Sequence, residues 1–341
     1  MQGSGNDTST CSRPLAPGPL FSVVTPTRNR AHAIPRMYES LLAQTLRDFE
    51  WIVVDNASTD GTEELLSRWC EDAPFPIRYF RREANAGALA SLNLALAHAA
   101  GTLFLYTRDA DTIVPTALER FKLHWDAIPP DDRGHYVGIS VNCVDQNGRL
   151  VGTPFPQPCL DSDAIEIRHR YRVKGEKFGF QRTDIMRAYM IPAVPGYVGY
   201  MPEGIMWRRI AAKYRTRFVN ETLRAWRLDQ TTSQSTSGRN WANAFGSVID
   251  TADALRLEIG WFARSPMRIQ YLAIKYARCC FHLGRPLSRQ WRDLPGPGAR
   301  ALWLSGLPIG WLMYLSDDRR RRRANEPREN DPQRHAQAGS R

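Results

Sequence analysis

Cysteine is scarce in this chain: six in 341 residues, at positions 11, 70, 143, 159, 279 and 280. No pair has metal-ligand spacing with partner histidines, and six are too few to staple a chain this long. A structural zinc site and a disulfide framework are therefore excluded. The seven histidines are scattered, and His98 reads as a polar-face helix residue, not a base. Met1–Pro19 is polar and rich in Gly, Ser and Pro, without the apolar core of a secretory leader. The expectation is a cytoplasmic protein with reduced thiols. The uncharged run Ala301–Leu315 (ALWLSGLPIGWLMYL) contains Pro308 and falls short of the ~20 residues that a bilayer-spanning helix needs. Internal repeats are absent. Residues 1–115 hold 10 Lys and Arg against 13 Asp and Glu, so the whole net charge of +11 arises beyond them. A protein that clamps nucleic acid along its length would not begin with an acidic third. A hydrophobic share of 43% excludes collagen-like, wholly disordered and polytopic membrane classes. The length suits one large domain, or a domain with an appendage.

What is present alternates between strand and helix. After an expected disordered lead over residues 1–19, Leu20–Thr25 (LFSVVT) is a continuous apolar run that predicts a strand buried on both faces. Ile34, Met37, Leu41 and Leu42 then recur at helical steps. Trp51–Val54 predicts a second strand, and Ser58 to Glu64 supplies cap and first-turn acids ahead of Leu65 and Leu66. Ile77–Phe80 predicts a third strand, Gly87–Ala100 an Ala/Leu helix, and Leu103–Tyr106 a fourth strand. Short connections between such elements predict βαβ units on a parallel sheet, whose ligands bind at the carboxyl ends of the strands. Further on, Val137–Val144, the turn Asn147-Gly148 and Arg149–Val151 predict a strand and its return. A Pro-rich link (Pro154, Pro156, Pro158) leads into a second region over 175–228, and beyond Trp241 the pattern is helical. Arg319–Arg341, with 8 Arg and 3 acids, is expected to be disordered.

Three strand ends carry polar residues that a core would not request: Thr25-Pro26-Thr27-Arg28-Asn29, Asp55-Asn56 and Arg108-Asp109-Ala110-Asp111. Alternate residues of an extended segment point the same way, so Asp109 and Asp111 can face one ion, and hard carboxylate ligands suit Mg2+ or Mn2+. The plainer reading of the same residues is a solvated turn before a helix. Asp55 can accept from a nucleobase or from ribose hydroxyls, or it can belong to the cap of the following helix. Asn85-Ala86-Gly87 leaves room for backbone approach to a phosphate or sugar, and equally makes an ordinary cap.

Taken together, SVVTPTRNR, WIVVDNASTDGT, the N-A-G to A-G stretch of Asn85–Gly101, and DADTIVPTAL resemble glycosyltransferase family 2 in order and spacing across residues 20–118. The resemblance implies a GT-A fold, an α/β architecture with a Rossmann-like, mostly parallel sheet flanked by helices. It also implies a nucleotide-sugar donor (UDP-, GDP- or dTDP-sugar), a divalent metal and inversion at the anomeric carbon. By position, Thr25 and Pro26 would line the base pocket, Asp55 would bind base or ribose, and Asp109 and Asp111 would hold ribose and metal. Arg28 and Asn85 complete the donor-binding set. Thr112 departs from the D-x-D-D form of many members. KGEKFGFQRTDIM and PEGIMWRRIAAKYRTRFVNETLRAW resemble the acceptor-side half of bacterial members, which puts Glu203 in the place of the general base. Glu176 and Glu221 are competing acids, with Glu221 ranked lower as part of a structural turn.

The expected organisation is a catalytic domain over 20–235 (a nucleotide-sugar half, 20–118, and an acceptor half, 119–235), a helical extension over 236–318 and a tail over 319–341. Phe178, Phe180, Tyr197, Tyr200, Trp207 and Trp226 are candidates to stack on a sugar or polyprenyl acceptor, although most such aromatics are core. Residues 301–323, apolar and then basic, fit either a segment lying at the inner face of the cell membrane or a core helix with a solvated tail. The function expected is inverting transfer to a glycan or lipid-linked acceptor in surface polysaccharide or glycolipid synthesis. Two other readings compete. A sugar nucleotidyltransferase would need a Gly-rich loop after the first strand, where TPTRNR has no glycine. A non-catalytic, Arg-rich nucleic-acid or partner binder would lack base-reading motifs, so no specific nucleic acid is expected.

Overall fold

β-Branched and aromatic residues run without interruption through the first strands, and such runs are stable only when both faces of a strand are covered. The computed structural model describes residues 8–12, 18–192, 194, 197, 200–227 and 240–324. The first elements are β1 (Thr8–Ser12), β2 (Phe21–Thr27), α1 (Pro35–Leu42), β3 (Phe49–Asp55), α2 (Thr62–Asp72), β4 (Ile77–Arg81), α3 (Gly87–His98) and β5 (Leu103–Tyr106). Then come β6 (Thr112–Ile113), α4 (Ala117–Asp126), β7 (Tyr136–Val144), β8 (Cys159–Ser162), α5 (Glu166–His169), β9 (Lys177–Arg182) and α6 (Thr183–Ala188). The last are α7 (Gly204–Ala211), β10 (Arg215–Ala225), α8 (Ala244–Glu258), α9 (Pro266–His282), α10 (Leu287–Asp293) and α11 (Gly296–Arg323).

Among the described residues one sheet forms in the order β1-β4-β3-β2-β5-β9-β7-β10-β6, with β8 also against β10. β4, β3, β2 and β5 run parallel, whereas β9 lies antiparallel to both β5 and β7. The chain steps outward from β2 to β3 and β4, then returns to place β5 on the other side of β2. This reversal makes a topological switch point at the carboxyl ends of β2 and β5, where open α/β sheets bind ligands. One face of the sheet is sealed by Phe21, Val23, Trp51, Val53, Leu103 and Leu105 packed with helical residues such as Met37, Leu41 and Leu66. Tyr38 stacks on Trp69 at 4.3 Å beside them.

The backbone departs from the sequence expectation in three places. Thr8–Ser12, inside the expected disordered lead, pairs antiparallel with β4; residues 1–7 and 13–17 lie outside the described residues. The return strand over Arg149–Val151 shrinks to a single bridge, Val144 with Leu150. The chain also divides into two units, Met1–Pro192 with Lys213–Thr232, and Ala193–Ala212 with Ser233–Arg341. α7 therefore groups with the C-terminal helices instead of with the domain expected over 20–235. Charge explains the grouping: Arg208 of α7 pairs with Asp250 (3.1 Å) and Glu258 (2.6 Å) of α8, and Arg209 pairs with Asp253 (3.0 Å).

Within the second unit α9 and α11 pack side by side. Added to Gly306, a Cβ would meet Ile274 Cγ1 at 2.9 Å, and at Gly310 it would meet Ala277 Cβ at 2.9 Å and the Ile274 carbonyl oxygen at 3.0 Å. At the far end Arg278 makes a two-pronged pair with Asp317 (2.6 and 2.7 Å), and His282 Nε2 lies 3.0 Å from the same carboxylate. Burial lowers the His282 pKa, and Arg278 and His282 hold the Asp317 carboxyl below the ordinary range against the effect of burial. The disorder expected from Arg319 onward gives way to helix as far as Arg323, because Asp318 pairs with Arg321 and Arg322 at 2.7 Å each. Residues 325–341 lie outside the described residues. Cys70, Cys143, Cys279 and Cys280 are buried thiols and Cys159 is an exposed one. Gly310→Val should push α11 off α9 and destabilise the protein by roughly 1–3 kcal/mol. Urea unfolding checks this, and an unchanged midpoint would contradict the close approach.

Candidate active site

Asp109 follows β5 at the switch point and faces the end of β2. Thr27 Oγ1 donates to its Oδ2 at 3.1 Å, and Arg30 Nε lies 3.8 Å from the same oxygen. Burial raises the Asp109 pKa while Arg30 pulls it down. Thr25 does not line a pocket as expected. It is fully buried, its hydroxyl shares a 2.7 Å hydrogen bond with Thr107 Oγ1, and it accepts the Trp51 indole N–H at 2.9 Å. Thr25 therefore acts as a brace beneath the rim. Pro26 is partly exposed and Arg28 is exposed.

Asp55 ends β3, and both its oxygens are engaged. Oδ1 accepts the Ser58 N–H (2.9 Å) and hydroxyl (2.6 Å), and Oδ2 accepts the Tyr79 hydroxyl at 2.9 Å. Burial, followed by the Asp55 charge, raises the Tyr79 pKa, so that phenol stays a donor. Asn29, in the left-handed region at φ +53°, donates its N–H to Ser58 Oγ at 2.8 Å and accepts the Thr59 N–H at 2.8 Å. Asn56 reaches across to the next loop, donating to Asn85 Oδ1 at 2.5 Å and accepting the Ala86 N–H at 3.0 Å. The loops after β2, β3 and β4 are thus knitted into one polar rim.

Asp111 was expected at an exposed strand end, yet it is fully buried. β6 pairs with β10 so that Ile113 lies opposite Arg224, which brings Arg224 Nε to 2.9 Å from Asp111 Oδ2. Arg224 also reaches Glu176 at 3.2 Å and lies over the Phe178 ring at 5.3 Å. The Arg227 N–H donates to Asp111 Oδ1 at 3.1 Å, while Oδ2 is buried without a hydrogen bond. Burial raises the Asp111 pKa and Arg224 opposes it. Sequence reasoning missed Arg224; the signal available was a cationic residue inside a strand pattern, one that must be paired if it is buried.

Glu203 heads α7 in the second unit and is partly buried. Of its competitors, Glu176 is half-exposed beside Arg224. Glu221 lies within β10 instead of the expected turn, held by Arg120 (Nε, 2.9 Å) and His124 (2.7 Å). Phe178 and Phe180 are core residues, not sugar platforms. His98 is exposed and stacks on Phe80 at 4.5 Å. Removing one partner of the buried Asp111–Arg224 pair leaves an uncompensated charge, so Arg224→Met should destabilise the protein by about 3–5 kcal/mol. Adding Asp111→Asn should restore part of that loss in a double-mutant cycle read by urea unfolding. Strict additivity would mean that the pair is not coupled.

Residues 22–146 match the sequence model of Glycosyl transferase family 2. Among curated relatives, the chain is 34% identical over 102 residues to a putative teichuronic acid biosynthesis glycosyltransferase of Bacillus subtilis, covering 30% of this chain and 40% of that one. It spans less than half the length of the curated relatives it matches. Among solved structures, S. aureus TarS 1-349 in complex with UDP-GlcNAc superposes with a TM-score of 0.57 at 18% identity, over 87% of this chain and 91% of that one. GalNAc-T7 with UDP, GalNAc and Mn2+ superposes with a TM-score of 0.52 at 12% identity, over 81% of this chain and 55% of that one. At these identities the likeness speaks for the fold alone. Fold and family match agree: over residues 22–146 the chain matches glycosyltransferase family 2, on a GT-A sheet.

Proposed function

We propose that this protein transfers a sugar, with inversion, from a nucleotide-sugar donor to a glycan or polyprenyl-linked acceptor in surface polysaccharide or glycolipid synthesis. The reaction would run in the cytoplasm or at the inner face of the cell membrane. The observation that carries the reading is Asp109, held by Thr27 and Arg30 at the switch point of the sheet, beside the knitted Asp55–Asn56–Asn85 rim, whose Asn56 N–H donates to the Thr27 carbonyl at 2.9 Å. The rim would hold the nucleoside, with Asp55 keeping its loop in shape for base or ribose and Asn85 and Arg28 beside the sugar and phosphates. Relatives that bind UDP or UDP-GlcNAc support a nucleotide donor, and UDP-, GDP- and dTDP-sugars all fit this reading.

A divalent cation fits the residues present. Asp111 Oδ2 accepts no hydrogen bond and is engaged only by the ion pair with Arg224 at 2.9 Å, which a cation would have to displace; carboxylate oxygens are the donors that Mg2+ and Mn2+ prefer. Among the described residues no third acid, histidine or cysteine joins Asp109 and Asp111, so diphosphate oxygens and water would fill the remaining positions. When bound, the cation neutralises charge on the departing diphosphate. The acceptor hydroxyl attacks the anomeric carbon opposite the diphosphate. Its oxygen–carbon bond forms as the carbon–oxygen bond to the diphosphate breaks, and its proton passes to a general base, the part that the sequence resemblance assigns to Glu203.

A nucleotide-sugar panel scored for Mn2+- or Mg2+-dependent release of nucleoside diphosphate should identify one donor; no release from any member would sink the reading. Asp111→Asn should nearly abolish that release and weaken Mn2+ binding, with urea unfolding run alongside because the side chain is buried. Turnover unchanged at limiting Mn2+ would remove Asp111 from the metal site. Glu203→Gln should keep donor binding and lower transfer by about 10²–10⁴-fold. Transfer within a few fold of wild type would make Glu203 a helix-start acid and turn attention to Glu176.

A further inference from the structure

α11 presents an apolar face on the side turned away from its helical partner. From Ala301 to Leu315 it carries no charged residue. Trp303, Gly306, Gly310 and Tyr314 are buried, and the two glycines meet Ile274 and Ala277 of α9. On the opposite side of the wheel Ala301, Leu304, Pro308, Trp311 and Leu312 are exposed, at the three- and four-residue steps where a water-facing helix carries Lys and Glu. Leu304 is 53% exposed, Leu312 64% and Trp311 44%. Continued along the same side, the wheel brings up Arg319 and Arg322, both exposed. Asp318 fixes that last turn through Arg321 and Arg322, and Asp317 clamps it to Arg278 of α9. The basic turn is therefore held in helical register with the apolar strip.

We propose that this face of α11 lies on an anionic lipid surface, with Leu304, Pro308, Trp311 and Leu312 among the acyl chains and Arg319–Arg323 at the headgroups. Charge selects this occupant. Residues 240–324 hold fourteen Lys and Arg against six Asp and Glu, and an aliphatic strip ending in a basic cluster matches a bilayer whose core is apolar and whose rim is negative. A second copy of the chain would bring the same positive charge against itself. Among the described residues no helix is long and apolar enough to cross a membrane, so the contact lies in the plane of the surface. The inference deepens the inner-face location proposed above and rests on that reading only for which leaflet is met.

Co-sedimentation of the full chain with vesicles, without donor or acceptor, tests the surface independently of the chemistry. Vesicles of phosphatidylcholine mixed with phosphatidylglycerol should bind at least about tenfold more tightly than phosphatidylcholine alone, and salt should weaken the binding. Leu304→Glu with Leu312→Glu, both at exposed positions and checked by urea unfolding, should abolish sedimentation. Arg319→Gln with Arg320→Gln and Arg323→Gln should erase the preference for phosphatidylglycerol. Equal sedimentation of the Glu variant and wild type would overturn the proposal. So would a dimer seen by light scattering that Leu312→Glu dissolves, since it would assign the face to a second copy.

Discussion

A carboxylate removed from water keeps its charge only where another charge answers it, and Asp111 is answered by Arg224 at 2.9 Å. Much of the first unit follows from that pairing. Arg224 reaches Asp111 because two residues of β6 pair with the end of β10, and β10 gains its place by running parallel to β7. The turn at the end of β5 is thus anchored by a strand more than a hundred positions away in the chain. Arg227 and Glu176 extend the same cluster. At the neighbouring position Thr27 and Arg30 steady Asp109.

The rest of the rim is held by hydrogen bonds. Asp55, Ser58, Asn29, Asn56 and Asn85 satisfy one another across three loops, so each loop is shaped by its neighbours as well as by its own turn. Directly beneath, Thr25, Thr107 and Trp51 place a polar brace inside an otherwise apolar sheet. On the reading proposed above, a rim built this way is preorganised for the donor, with little side-chain freedom left to lose.

The parallel strands were legible because local signals agree there: apolar runs, helical periodicity between them and polar residues at each carboxyl end. The positions of Asp55 and Asp109 at strand ends followed from that register. What the sequence hid depends on partners far along the chain. Thr25 looked like a pocket residue because its side-chain partners, Thr107 and Trp51, come from other strands. Asp111 looked exposed because nothing nearby announces Arg224. α7 read as part of the catalytic domain, although its arginines find their acids on α8, some forty to fifty residues later. The five arginines from Arg319 suggested repulsion and disorder, whereas Asp318, immediately before them, supplies a counter-charge to Arg321 and Arg322, and Asp317 ties the turn to Arg278 of α9.

The placement of the thiols has a chemical consequence. Burial pushes Cys143 up to about 12, and Cys70, Cys279 and Cys280 are likewise shut away, while Cys159 stands on the surface. Only a thiolate reacts, and only where a reagent can reach it. An oxidant or alkylating agent therefore meets Cys159 in the folded protein, and the four buried sulfurs become reactive only when the strand or helix covering them opens. Each of these cysteines is a built-in clock for local unfolding: Cys143 times the opening of the sheet, and the Cys279–Cys280 pair times the separation of α9 from its neighbours.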